Sequence, residues 1–230
     1  MFDSFVNRFP RGNQGGPPRG SVSWFHGDMS VSLRRLSGPE FALLAPVLVD
    51  IYIAAMHYSP AIRSQRIDVW RRDTGCPGFT AVVALESGES GARGAGSGSE
   101  SVVGVAYGFL GRRGRWWDTQ LIKGLKETGT LDSSRADMLG SYFEIAEVHV
   151  TAAAQNHGIG RHLLTELLRD IPADWALLST PEVPDEANAA FGLYRKLGFE
   201  DVLRNFTYTG DERPFAVLGR RLPLDPCTQG

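Results

Sequence analysis

Residues 147–164 read EVHVTAAAQNHGIGRHLL, and the reading of this stretch decides the fold. It opens on the end of a strand predicted over 142–151, in which Val148 and Val150 alternate with other residues. It closes on Gly158-Ile159-Gly160-Arg161, where a helix predicted over 158–171 begins with Leu163, Leu164, Leu167 and Leu168 on one face. A helix start offers unpaired N–H groups and the positive end of a dipole. Glycines let the preceding turn adopt conformations that other residues avoid and bring its backbone close to a ligand. Strand, short loop, glycine pair and helix thus form an anion cradle suited to a pyrophosphate.

A glycine pair by itself fits a tight strand–helix turn equally well. Two other phosphate-binding motifs are excluded by single residues. A dinucleotide fingerprint needs a third glycine where Leu163 stands. A phosphate-binding loop of the Walker type needs Lys and then Ser or Thr after its second glycine, where Arg161 and His162 stand.

A second motif lies downstream: Asn188, then Tyr194 six residues later, then Leu197-Gly198-Phe199. With both motifs in place the chain resembles the GNAT superfamily of N-acetyltransferases. That superfamily carries Gln/Arg-x-x-Gly-x-Gly/Ala at a helix start, matched by Gln155, Gly158 and Gly160, and an Asn–Tyr–Leu-Gly-Phe pattern at this spacing. Ala152, where Pro is frequent, and Asn156, where Gly is frequent, depart from the pattern without removing the cradle. The resemblance covers 142–199 by motif and 31–224 by element order. It implies an α/β acyl-CoA N-acyltransferase fold, a central and mostly antiparallel sheet splayed between its fourth (142–151) and fifth (175–179) strands and flanked by helices. It also implies acetyl-CoA as the acyl donor. The pantetheine arm would lie in the splay beside Val148, His149 and Val150. Gln155 and the backbone of Asn156, His157, Gly158, Ile159, Gly160 and Arg161 would hold the pyrophosphate. Asn188, Phe191 and Tyr194 would lie toward the thioester.

The chemistry such a site must perform is set by the acceptor. An alkylamine with a pKa near about 10.4 is protonated at neutral pH and must lose a proton before it attacks. A carboxylate, directly or through water, can take it. Glu144 and Glu147 both lie on the pre-loop strand, and simple alternation puts them on opposite faces. By resemblance either position can serve as base; Glu147, closer to the splay, is the first choice and Glu144 the second. Each fits a sheet-edge carboxylate paired with an arginine equally well. The Val148 N–H is the natural oxyanion donor. Tyr194 can protonate the departing thiolate, although Ala190, Phe191 and Leu197 share its helical face and would also hold it in the core. No Cys or Ser sits in a nucleophile motif, so direct attack in a ternary complex is expected. The acceptor is a primary amine of a small molecule or a protein. The alternatives are a non-catalytic acyl-CoA sensor and a Lys or N-terminal protein acetyltransferase.

Spacings of eight and five separate His149, His157 and His162, which does not gather metal ligands on one helical face, so no metal is expected. Further out, Ser37-Gly38-Pro39-Glu40 reads as a capping box opening a helix with Phe41, Leu44, Leu48, Ile51 and Ala55 at helical spacing. Pro46 should kink or split that helix. A second helix over 61–72, strands over 31–36, 79–86, 101–110, 199–208 and 215–222, and a helix over 185–197 closed by Gly198 complete a single domain over 29–224. Residues 87–100 read as a flexible Gly/Ser loop, and 111–141 as a long loop in which Trp116 and Trp117 could wall an acceptor pocket or anchor the loop. Beside them Arg112, Arg113 and Arg115 form a solvated cluster or meet the CoA 3′-phosphate or an acidic acceptor. Asp118, Asp132 and Asp137 are surface carboxylates or neutralise a cationic amine. Residues 1–28, rich in Gly and Pro, read as a flexible arm, with Met29 an alternative start; 225–230 form a tail.

Composition agrees with this frame. The 230 residues hold 24 Lys and Arg against 26 Asp and Glu, so neither nucleic acid nor an anionic membrane is an expected partner. Cys76 and Cys227 are too few for a disulfide framework. No secretory pattern opens the chain, and no apolar run reaches the roughly 20 residues of a span. A cytoplasmic enzyme, with homodimerisation possible as in its family, is the expectation.

Overall fold

The computed structural model describes residues 23–26, 29–87 and 100–224. Most of the expected arm, nearly all of the Gly/Ser loop and the C-terminal tail lie outside the described residues.

An eight-stranded sheet organises the chain in the order β1 (Ser23–His26), β2 (Met29–Leu36), β3 (Thr80–Ser87), β4 (Glu100–Leu110), β5 (Tyr142–Val150), β6 (Trp175–Pro181), β8 (Pro214–Arg221), β7 (Glu200–Thr207). Every neighbouring pair is antiparallel except β5–β6, the one pair joined by a helical crossover. That parallel seam is short: Tyr142, Phe143 and Glu144 face Trp175, Ala176 and Leu177, and nothing beyond pairs. β5 nevertheless stays paired to β4 as far as Val150, and β6 to β8 as far as Pro181. The sheet therefore forks after Glu144. This is the expected splay; the fourth and fifth strands counted from sequence are β5 and β6 because β1 precedes them.

Helices α5 (Ile159–Leu167) and α6 (Ala189–Lys196) cover one face, burying Ile159, Leu163, Leu164, Phe191 and Phe199 with Val82, Ala106 and Leu178 of the sheet. On the other face α1 (Gly38–Met56) and α2 (Arg63–Asp73) cover the β2–β4 side, while α3 (Trp116–Glu127) and α4 (Ser133–Gly140) cover β7 and β8. Among the described helices α1 is long and apolar enough to cross a membrane. Here Phe41, Ala45, Leu48 and Tyr52 are buried in the core it shares with α2, β3 and β4.

The capping box forms as read: Ser37 Oγ accepts from Glu40 N at 3.4 Å, and Glu40 Oε2 accepts from Ser37 N at 2.9 Å. Pro46 does not split α1, which runs on to Met56. Proline removes the N–H that would serve the carbonyl of Ala42, four residues back. Arg71 of α2 supplies a donor instead, with Nε 3.1 Å from Ala42 O. Arg63 adds a second tie, to Pro46 O at 3.3 Å and to Asp50 at 2.6 and 2.8 Å.

Two regions differ from their sequence reading. Ser23–His26, assigned to the arm, add an edge strand on β2. The segment 111–141 is not an open loop but carries α3 and α4. Trp117, Leu121 and Leu125 recur at helical spacing and pack against Leu203, Phe206 and Val217, with Asp132 capping α4 through Arg135 N at 2.8 Å. α6 starts later than expected, at Ala189, because Asn188 is its N-cap; Gly198 at φ +75° closes it.

Candidate active site

The glycine turn comes first. After β5 a short helical turn, Ala152–Ala154, leads to Gln155, whose Nε2 donates to Val150 O at 3.1 Å. Asn156 and Gly158 have φ of +65° and +76°, a region asparagine tolerates and glycine enters freely. Gly158 is the N-cap of α5 and has no side chain with which to cap it. The first-turn amides of α5 are thus aimed outward from a turn whose Gln155, Asn156 and Gly158 are exposed, which fits a diphosphate. Gly160 has a different reason: a β-carbon there would stand 3.1 Å from Leu193 Cδ2, so it lets α5 and α6 pack closely. His162 Nδ1 lies 3.0 Å from Gly158 O and braces the turn from behind.

Across the fork, the register of β5 on β4 corrects the expected parity of the two carboxylates. Tyr107 faces Glu147 and Gly108 faces Ile145, so Ala146 is a bulge without a partner. A β-carbon on Gly108 would overlap the Glu144 carbonyl and the Phe143 ring, which is why β4 has glycine opposite the kink. One extra residue restores the alternation. Glu144, Glu147 and His149 now stand opposite Phe109, Tyr107 and Val105 on a single face, the one covered by α1 and α2. Val148 and Val150 turn to the other face and pack with α5.

This face is polar at its centre and tied together. His149 Nε2 lies 2.7 Å from Glu147 Oε2, and the imidazole meets the Tyr52 ring edge-on at 5.0 Å. The Tyr107 hydroxyl donates to Asp73 Oδ2 at 3.0 Å. Arg115 stacks 4.5 Å over the Phe109 ring, reaches Cys76 Sγ at 2.7 Å and stands 3.9 Å from Asp73 Oδ1. Burial pushes the Glu144 carboxyl up to about 8; Asp73 and Asp118 push the same way and Arg115 opposes them. Burial also raises Asp73, against the Tyr107 hydroxyl and Arg115. Tyr194 comes from α6 on the opposite layer, yet its phenol feels the charge of Glu147, which adds to burial in raising it to about 12.

Not every expected residue serves the site in the expected way. Phe191 is completely buried in the core under α6, with Arg195 and Arg204 over its ring. Asn188 uses its side-chain oxygen on the cap, accepting from Phe191 N at 2.8 Å, and its amide nitrogen remains for a ligand. Trp117 is an anchor: its Nε1 donates to Tyr208 at 2.9 Å, and Tyr208 donates to Ser179 at 2.8 Å. Trp116 is 58 % exposed. Asp118 is buried and holds the loop before α3, accepting from Gly114 N at 3.0 Å and from Arg113 at 3.4 Å. Asp73 and Tyr107 escaped the sequence reading. Only the strand pairing that sets Tyr107 against Glu147 reveals them. Among the described residues no group of three His, Cys, Asp or Glu side chains is placed to hold a metal ion.

A forked α/β sheet with an uncapped glycine turn at the fork is the architecture of the acyl-CoA N-acyltransferases. The comparisons with known proteins agree. The family model described as Acetyltransferase (GNAT) family matches residues 115–199. A GCN5-like protein acetyltransferase of Mycobacterium tuberculosis is 38 % identical over 186 residues, covering 76 % of this chain and 90 % of its own length. Among solved structures, Arabidopsis thaliana NAA60 in complex with acetyl-CoA is similar at a TM-score of 0.51 and 15 % identity, over 84 % of this chain and 98 % of that one. A GNAT-family acetyltransferase from Streptococcus pneumoniae is similar at a TM-score of 0.50 and 12 % identity, over 84 % of this chain and 99 % of that one. The chain belongs to the GNAT acetyltransferase family.

Proposed function

We propose that this protein transfers an acetyl group from acetyl-CoA to a primary amine by direct attack in a ternary complex. The observation that carries the reading is the fork itself. The uncapped head of α5 stands on one side and Glu147, on the stretch of β5 that β6 no longer covers, on the other. Bound there, acetyl-CoA supplies an activated thioester. The residues that would hold it are Gln155, Asn156, His157, Gly158, Ile159, Gly160 and Arg161 at the diphosphate, and the backbone of Val148, His149 and Val150 along the arm.

The chain's own groups account for the proton and charge movements. Glu147, directly or through water, takes the proton from the ammonium of the acceptor. His149 holds the Glu147 carboxylate in place from 2.7 Å. The Val148 N–H donates to the developing oxyanion, a contribution of roughly 3 kcal/mol for such donors. Tyr194 stays protonated through the neutral range and can give its proton to the departing sulfur, which with a thiol pKa of about 8.5 needs little help. A second reading has its own observation: Glu144, raised to about 8, is a base tuned closer to the amine.

The M. tuberculosis relative is described as a protein acetyltransferase, which supports a protein Lys or N-terminal amine as acceptor over a small metabolite. The test is acetyl-CoA-dependent release of free thiol across a panel of peptide and small-molecule amines, with wild type, Glu147→Gln, Glu144→Gln and Tyr194→Phe. Turnover that falls in Glu147→Gln supports the first reading, and a fall confined to Glu144→Gln the second. If acetyl-CoA binds yet no amine releases thiol, the chain is a sensor and the proposal fails.

A further inference from the structure

On the face that carries Glu144 and Glu147, the end of α2, the turn after it and the β4–α3 loop line an open cleft of about 560 Å³. Its wall includes Arg72, Arg112, Arg113 and Arg115 against a single carboxylate, Asp73. That carboxylate is already engaged by the Tyr107 hydroxyl and by Arg115, and Arg113 pairs with Asp118 behind the wall, which leaves the wall net positive through Arg72 and Arg112.

The arginines are not all consumed by the fold. Arg115 serves Cys76 and Asp73, and Arg113 serves Asp118 and Ala136 O. Arg72 makes one bond within its own helix, from Nε to Asp68 O at 3.3 Å. The Arg112 side chain is exposed and makes no hydrogen bond or ion pair with a described residue. The loop that presents Arg112, Arg113 and Arg115 is held by buried Asp118 through the Gly114 amide. The cleft also borders the reacting side of the sheet: Arg115 lies over Phe109, and Phe109 stands directly opposite Glu144. The glycine turn belongs with α5 on the other layer, so these guanidinium groups do not serve the diphosphate cradle.

We propose that this cleft receives a carboxylate carried by the acceptor close to the amine that is acetylated, so that the enzyme selects amines with an acidic neighbour. The proposal rests on the acyl-transfer reading above. Guanidinium groups favour carboxylates through paired, charge-assisted hydrogen bonds. A cation-flanked amine would bring like charge against four arginines, of which Asp118 and Asp73 each offset one.

The experiment compares three lysine peptides of one length, the lysine flanked by Glu, Gln or Arg, with small amines that bear or lack a carboxylate. Both kcat/KM for transfer and peptide binding to the CoA-loaded protein by fluorescence anisotropy are measured. Wild type is compared with Arg72→Gln/Arg112→Gln and with Arg112→Glu, each checked for folding by its melting temperature. The expected result is a preference of about tenfold or more for the Glu-flanked peptide over the Gln-flanked one, weakened by salt. It should fall below about threefold in the double variant and shift toward the Arg-flanked peptide in Arg112→Glu. A preference confined to the small carboxylated amines upholds the same chemistry with a metabolite as its source. Equal rates for the three flanks, or a preference that survives both variants, overturns the proposal. Selective, arginine-dependent binding without transfer upholds the pocket and refutes the transfer reading. Neither binding nor transfer overturns the pocket as well.

Discussion

The glycine turn at the head of α5 and the carboxylate face of β5 flank the same fork, yet they are made of different material. The turn is a run of consecutive residues whose useful atoms are main-chain amides. The carboxylate face joins Asp73 of α2, Tyr107 of β4, Arg115 before α3, and Glu144, Glu147 and His149 of β5. A site made of backbone depends on conformation and tolerates changes of side chain. A site made of side chains depends on register and on the packing that holds separate segments together. The same comparison explains how two groups from opposite layers, Tyr194 and Glu147, come within electrostatic reach: the fork removes the strand pairing that would otherwise separate them.

The largest effect should come from the side-chain half. Glu147→Gln should lower kcat/KM by about 10²- to 10⁴-fold, the usual worth of a positioned base. The acetyl-CoA-induced rise in melting temperature should persist in that variant, and its loss would mean that the two halves are not separable. Next comes the backbone half. Gly158→Val forces a β-branched residue to φ +76°, and should weaken acetyl-CoA binding about tenfold or more by calorimetry. Asn156→Gly, which keeps the positive φ available, should stay within about threefold; equal losses in both would refute a backbone-made cradle.

A smaller effect concerns Glu144. Its carboxyl titrates from the ordinary range when unfolded and near 8 when folded, so the folded state binds the extra proton between those values. Stability from this group is fully present below the unfolded value and is lost as pH rises through about 8. Glu144→Gln should therefore gain stability over wild type as pH rises from 5 to 9, at a limit of about 1.4 kcal/mol per pH unit. Chemical denaturation at several pH values checks this, and a difference independent of pH rules it out. The smallest effect tests the support beneath Asp73. Arg71→Ala leaves the Ala42 carbonyl without its donor, at about 1 kcal/mol, or a fall of about 2–4 °C in melting temperature.

Legibility in the sequence followed the same division. The 155–161 turn, the capping box at Ser37 and the closing glycine at 198 are made by neighbours in the chain, so their residues announce them. The fork followed from the two motifs that flank it. The shared face of Glu144 and Glu147 was not legible, because a bulge is a property of two strands in register and Ala146 carries no local mark. That Pro46 does not split α1 was hidden for a similar reason: the donor that replaces its missing N–H arrives from Arg71, on another helix. In 111–141, turn-forming residues masked the helical spacing of Trp117, Leu121 and Leu125. Phe191 sat at a plausible offset from the Asn–Tyr motif, and only packing shows that its ring points inward.

The unpaired Ala146 makes the shared face of Glu144 and Glu147 depend on strand register as well as on residue identity. Drawing that one alanine into the ladder opposite Gly108 would leave every carboxylate, arginine and glycine in the protein intact. With His149 and Val150 held on β4, the strand upstream would have to turn over, sending Glu144 among the leucines of α5 and bringing Phe143 out among the charges.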